Sequence, residues 1–303
     1  MIKQLIFTLA FSLLFTVINK AQTEIEPTGF DGDHFSLEGA LDLFKQSSSI
    51  EDFEKKLNEQ KNNINNLDLN EDGAIDYLRV EDKMDGEVHA IIIQAPISDS
   101  ENQDIAVIEI EKTGMETAIL QIVGDEEIYG QQKIVEPFEE QVEQSGKGGP
   151  NENFHFRKRI INVYFWSPVR FIYAPRYRPY VSPYRWRTYP RLWKPWRPQS
   201  FHVYHSHHVR YQRHYHVVNT HRVVRAHKVY TPHRRTSTVV RKRTTTVRTT
   251  KNGNKVVRQK TTTVKNRNGN RVVGKKSNTA VKKKGNKKVV KKKTTKVRKR
   301  RKN

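Results

Sequence analysis

The stretch Ile75-Asp-Tyr-Leu-Arg-Val-Glu-Asp-Lys-Met84, Asp85-Gly86, Glu87-Val-His-Ala-Ile-Ile-Ile-Gln-Ala95 reads as a β-hairpin. Asp-Gly between two runs rich in β-formers is a strong short-range hairpin signal, because glycine accepts the positive φ of a tight turn. In the returning strand Val88, Ala90 and Ile92 alternate with His89, Ile91 and Ile93. Both sets hold large apolar residues, so parts of this strand should be covered on both faces. Downstream, Asp104 to Lys112 alternates in the same way, Thr113-Gly114 turns the chain, and Thr117 to Val123 runs back. Upstream, Ser36 can cap a helix whose Leu37, Ala40, Leu41 and Phe44 share one face. Ser49 can cap a second, with Ile50, Phe53 and Leu57 as its stripe. The expected fold class is α+β: two short helices on one face of a four-stranded antiparallel meander.

Charge divides the chain. All 32 acidic residues lie at or before Glu152, and 45 of the 56 Lys and Arg lie beyond it. Ser145-Gly-Lys-Gly-Gly-Pro-Asn-Glu152 between them reads as a hinge over 146–152. The mature acidic part, from residue 22, carries 32 acids against 9 bases, a net charge of −23. Apolar residues make up 35% of the chain, below the roughly 45–50% of globular chains, so only part should build a core. There is no cysteine, which excludes disulfides, thiolate metal sites and lipidation at a cysteine.

Lys3, the apolar run Leu5 to Ile18 and Ala21 before Gln22 read as an export signal over residues 1–21. The run is short for a membrane span, which needs about 20 residues. The expected location is periplasmic, outer-envelope-associated or secreted, with no membrane span once the signal is removed.

Within the acidic domain, expected over 22–145, Asp68-Leu-Asn70-Glu-Asp72-Gly73-Ala74-Ile75-Asp76 has alternate oxygen-bearing side chains on a tight loop. A hard cation takes six to eight such oxygens at about 2.3–2.6 Å. Asp68, Asn70, Asp72 and Asp76 stand at spacings 1, 3, 5 and 9, and Ala74 can offer its carbonyl. The stretch resembles the calcium loops of EF-hand and dockerin proteins, and still more the DxDxDGxxD loops of integrin-type repeats, where a strand follows directly. The resemblance implies a Ca²⁺ site. Spacing 12, a bidentate carboxylate in EF-hands, is Arg79 here, and no second helix follows.

Residues 153–235 interleave aromatic and basic side chains with prolines at 168, 175, 179, 183, 190, 195 and 198. Proline at this density forbids a long helix or a central strand, so an extended path is expected. Residues 160–172 are apolar enough either to dock as an extra strand on the acidic sheet, their rings merely packed, or to belong to the exposed binding segment. Arg176, Arg178, Arg185, Trp186, Arg187, Trp193, Lys194, Trp196 and Arg197 are candidate polyanion-binding residues: cations meet phosphates or carboxylates, and rings stack on bases or sugars. Nine of the 12 histidines fall between 202 and 233. Such a tract can take Zn²⁺, Cu²⁺ or Ni²⁺, or serve as an anion-binding tract that charges as pH falls through about 6.5.

From 236 the chain repeats. Thr244 to Lys260 and Thr261 to Ser277 match over 17 residues, each with Asn-Gly between Thr-Thr-Thr-Val and Val-Val. A hairpin is locally encoded, yet like charges repel and no core is supplied, so disorder in isolation is expected. Lys251, Lys255, Arg258, Arg267 and Arg271 complete the candidate polyanion-binding set. No sequence-reading nucleic-acid motif is present, which leaves non-specific attraction to lipopolysaccharide, acidic polysaccharide or extracellular nucleic acid, and pairing of acidic domain with basic tail in the same chain. The layout of signal, acidic meander, Trp/Tyr/Pro/Arg belt and Thr/Lys repeats resembles a group of uncharacterised secreted proteins of Gram-negative bacteria, which implies export and an envelope location. The expected function is non-enzymatic adhesion to anionic polymers. Alternatives are transition-metal binding through the histidines and a hydrolase within the acidic domain, although no GxSxG, HExxH or phosphate-cradling loop occurs.

Overall fold

A computed structural model describes residues 26–144, 154–243, 255–265, 272–284 and 287–298. The expected signal over 1–21, the hinge over 146–152, and Lys251, Arg267 and Arg271 lie outside them.

Helices α1 (Leu37–Lys45) and α2 (Ile50–Leu57) start where their caps predict: Ser36 Oγ accepts from Gly39 N at 3.0 Å and Ser49 Oγ from Asp52 N at 3.1 Å. They bury the expected stripes, and Phe44 meets Phe53 edge to face at 5.3 Å. The hairpin forms as β1 (Arg79–Asp85) and β2 (Val88–Pro96), with Gly86 at φ 58° in its two-residue turn. β3 (Asn102–Gly114) and β4 (Thr117–Gly124) complete the meander.

The sheet does not stop at four strands. Asp125 caps the short α3 (Glu126–Tyr129), Gly130 ends it at φ 78°, and the chain returns as β5 (Lys133–Gln144) beside β4. β6 (Phe154–Ile160) pairs with β5, Gln144 standing opposite Phe154, so the first strand after the expected hinge belongs to the same sheet. β7 (Tyr215–Val218), from the histidine tract, also pairs with β5. The result is a seven-stranded antiparallel sheet in a mixed α+β fold, with seven α-helices among the described residues.

The second half therefore packs on the first, which corrects the expectation of an extended outlying segment. Helices α4 (Ser167–Ile172), α5 (Phe201–Ser206), α6 (Val224–Tyr230) and α7 (Thr238–Arg243) all come from it. Of the 160–172 stretch, Val163, Trp166, Val169 and Ile172 join the core of the α1/α2 face, as a turn and a helix rather than a strand. Pro168 sits in the first turn of α4, where its missing N–H costs nothing. Tyr180–Ser182 runs along the edge of β1: Asp82 N donates to Tyr180 O at 2.8 Å and Ser182 N to Val80 O at 3.0 Å. This covers an edge that would otherwise template aggregation.

The opposite face of the sheet is covered as well. Ala90, Ile92, Val107, Val123 and Ile134 pack against Tyr230 of α6, and Val88 against Val223 and Ala226. The two-layer expectation thus becomes three layers: helices, sheet, and a basic strap over 215–241. In the repeats, β8 (Lys255–Lys265), β9 (Val272–Lys284) and β10 (Lys287–Arg298) form a separate antiparallel sheet, and Lys265 pairs with Val272 on either side of Asn268-Gly269, as the repeat encodes. No helix among the described residues is long and apolar enough to cross a membrane.

Candidate polyanion interface

The strap lies on a row of buried carboxylates. On β3, Glu109 and Glu111 alternate with Ile108 and Ile110, a pattern that reads as an apolar inner face and a solvated outer one. In the fold Asp104, Glu109, Glu111, Asp125 and Glu136 are all buried. Strap residues satisfy them. Arg222 Nε lies 3.2 Å from Glu136 Oε2, and Arg225 Nε 2.9 Å from Glu111 Oε2. The first N–H groups of α6, on Arg225 and Ala226, also donate to Glu111 Oε1, where the helix dipole favours an anion. Arg234 forks onto Asp125 at 2.6 and 3.1 Å. Asp104 accepts from Tyr230 Oη, Arg235 N and Gln94 Nε2, while burial pushes its carboxyl up to about 7. Both oxygens of Glu109 are held by imidazoles: His221 Nε2 at 2.5 Å and His227 Nδ1 at 2.7 Å. Part of the positive tail is thus neutralised within the chain.

The belt over 173–199 behaves differently. Arg176, Arg178, Arg185, Arg187, Arg191, Lys194 and Arg197 are exposed, and none forms an ion pair among the described residues. Arg176 and Arg187 adopt positive φ of 71° and 59°, an uncommon state for a non-glycine residue. Of the candidate rings, Trp186 is half-buried, with the Arg187 guanidinium 5.6 Å over it. Trp193 packs edge-on against Tyr77 at 5.1 Å and Tyr189 at 4.9 Å, and the Trp196 carbonyl accepts from Ile75 N at 2.8 Å. Trp193 and Trp196 are therefore not free platforms. They dock the belt to Ile75 and Tyr77 and line a cavity of about 1270 Å³ that mixes the cations Lys55, Arg191 and Lys194 with the acids Glu51, Asp52, Glu54 and Glu59. Lys255 and Arg258 fall on β8, apart from the belt in sequence and sheet.

The 68–76 loop is held by its own amides. Asp68 accepts from Asp72 N and Gly73 N, each at 3.1 Å; Asn70 Oδ1 accepts from Asp72 N at 2.8 Å; Asp72 accepts from Ala74 N at 2.9 Å. Asp76 is buried and turned inward, accepting from Leu69 N and from the Asn70 amide at 3.0 Å. Asp68, Asp72 and Asp76 do not bring their oxygens within 4.8 Å of one another.

The histidine tract divides rather than acting as one array. His202, His207, His214 and His233 are exposed. His208 is buried between Tyr204 and Tyr211, and its Nε2 donates to Asn63 O at 2.7 Å. Burial lowers its pKa from the usual 6.5 to about 4. The folded state holds it neutral while the unfolded chain takes up a proton below about 6.5. Stability from this group is present above the unfolded value and is lost as pH falls through 6.5 toward about 4. His208→Gln keeps a donor and removes the titration. Urea melts at a series of pH values should show its stability profile flattened between pH 6.5 and 4 relative to the parent. A parallel decline in both would dismiss the assignment.

Sequence reading missed the buried acids of the strapped face. The available signal was complementarity: a sheet face carrying unexplained acids, and a second half with Arg and His but no acid of its own. No family model, curated protein or solved structure matches the chain.

Proposed function

We propose that the protein is a non-enzymatic exported protein of the envelope or extracellular matrix that adheres to anionic polymers. The observation that carries this reading is the contrast within the basic half. Arg222, Arg225 and Arg234 of the strap are consumed by buried carboxylates, whereas the seven belt cations are exposed and form no ion pair among the described residues, even where Arg191 and Lys194 share a cavity with Glu51, Asp52, Glu54 and Glu59. Arginine presents a planar fork matched to phosphate and carboxylate, so an unpaired exposed series is suited to a polyanion. The repeats extend the same field. In this reading they are disordered until they meet polymer, and β8–β10 is the form they then take.

The test uses the full-length chain and two probes, single-stranded DNA for phosphate and polygalacturonate for carboxylate. Substituting Arg185, Arg187, Arg191 and Lys194 together by Gln should weaken binding to both. On single-stranded DNA the slope of log affinity against log salt should become shallower by about 3, at about 0.7 per phosphate contact. An unchanged slope removes the belt from the interface, and binding indifferent to salt rejects the whole reading.

A further inference from the structure

Glu136, Glu111 and Asp125 each have an arginine against them; Glu109 has none. Its carboxylate is fully buried, and its two partners are the imidazoles of His221 and His227 rather than a guanidinium or an ammonium. A buried anion with no permanent countercharge is costly. The three groups converge: one ligand atom from each lies within 4.8 Å of the other two, and the imidazole ring centres are 4.5 Å apart. They come from β3 and from either side of the first turn of α6, so the geometry is fixed by the docking of the strap on the sheet.

We propose that Glu109, His221 and His227 form a Zn²⁺ site that locks the strap to the sheet. Zinc takes imidazole nitrogen and carboxylate oxygen at about 2.0–2.2 Å, which places ligand atoms of a tetrahedral site roughly 3.3 Å apart. The present N···O separations, 2.5 Å to Oε2 and 2.7 Å to Oε1, reach that value by opening about 0.8 and 0.6 Å. The two rings remain partly exposed, at 19% and 34% of their side-chain surface, which leaves the fourth position to water and gives the ion a route in. The dication supplies the charge that Glu109 lacks. Binding must then displace the protons held between Glu109 and the imidazoles. The proposal is independent of polymer adhesion, because it uses none of the belt cations.

The test titrates metal-free full-length protein with ZnCl₂ by calorimetry, and with CoCl₂ by absorption. One saturable equivalent is expected, with a tetrahedral-type cobalt spectrum and a raised melting temperature. Glu109→Gln keeps hydrogen-bonding capacity toward both imidazoles and removes the anionic ligand; together with His227→Asn it should abolish the cobalt spectrum and weaken zinc at least tenfold. A triple His202→Ala, His207→Ala, His233→Ala chain, altered only in the exposed part of the tract, should retain both. Circular dichroism checks that the Glu109→Gln variant is folded, so that loss of metal is not loss of structure. Zinc bound equally by the site variant, or lost from the triple variant instead, overturns the proposal in favour of surface histidines.

Discussion

A chain that ends at Gln144 is expected to lose its cooperative unfolding transition. The acidic half carries both helices and most of the sheet, yet both faces of its core are finished by the other half. Val163, Trp166, Val169, Ile172, Tyr211 and Tyr215 complete the α1/α2 side. Tyr230, Val223 and Ala226 cover Val88, Ala90, Ile92 and Val107 on the other. Each large apolar side chain left uncovered forfeits about 1.5–3 kcal/mol, and a domain commands only about 5–15 kcal/mol in total. Charge adds to the loss. Glu109, Glu111, Glu136, Asp104 and Asp125 would lose their strap partners, and residues 22–152 already carry 32 acids against 9 bases. The check is a thermal melt by circular dichroism of residues 22–144 beside the full chain. A sharp transition near that of the parent would show the acidic half to be self-sufficient, and the basic half to be an accessory.

Local signals were legible and the long-range ones were not. Ser36 and Ser49 announce their helices because a cap is a contact over three residues, and Asp85-Gly86 announces its hairpin for the same reason. The actual turn centres on Gly86 and Glu87, one residue on. β5 was hidden by Pro137 within an acidic run; the ladder tolerates it because proline still accepts through its carbonyl, and β7 lies opposite it. β7 itself, Tyr215-His-Val-Val218, is four residues inside a histidine tract, too short for periodicity to reveal. Alternation on β3 gave the correct strand but not the burial of Glu109 and Glu111. Period 2 identifies two faces but not what covers the second. The belt's prolines exclude a long helix, but the expected extended outlying path did not show its docking, because the contacts of Trp193 with Tyr77 and of Trp196 with Ile75 join residues more than 100 positions apart.

Glu54 joins α2, β1 and the belt at one carboxylate, and Glu54→Ala is expected to be among the most damaging single substitutions in the chain. On α2 it follows Phe53 and would pass for a polar helix position. It is instead 1% exposed. Its carboxylate accepts from Tyr77 Oη at 2.8 Å, Val80 N at 2.7 Å and Ser182 Oγ at 2.9 Å. One side chain thereby ties α2 to the start of β1 and to the belt segment on its edge. Burial raises the Glu54 pKa, and the three donors oppose that shift. Alanine removes the acceptor and strands all three donors, each costing about 1–3 kcal/mol where water cannot replace it. Because the donors share one partner the losses do not add fully, and about 3–5 kcal/mol is expected in total. Glu51→Ala, on the exposed side of the same helix, should change stability by about 0.5 kcal/mol or less. Urea unfolding of the two variants beside the parent gives the comparison. Ser182→Ala and Tyr77→Phe each delete one donor and should recover part of the loss when combined with Glu54→Ala, because a donor that is absent cannot be stranded. Additive losses in those double variants would mean that the carboxylate does not bridge the halves as the distances indicate.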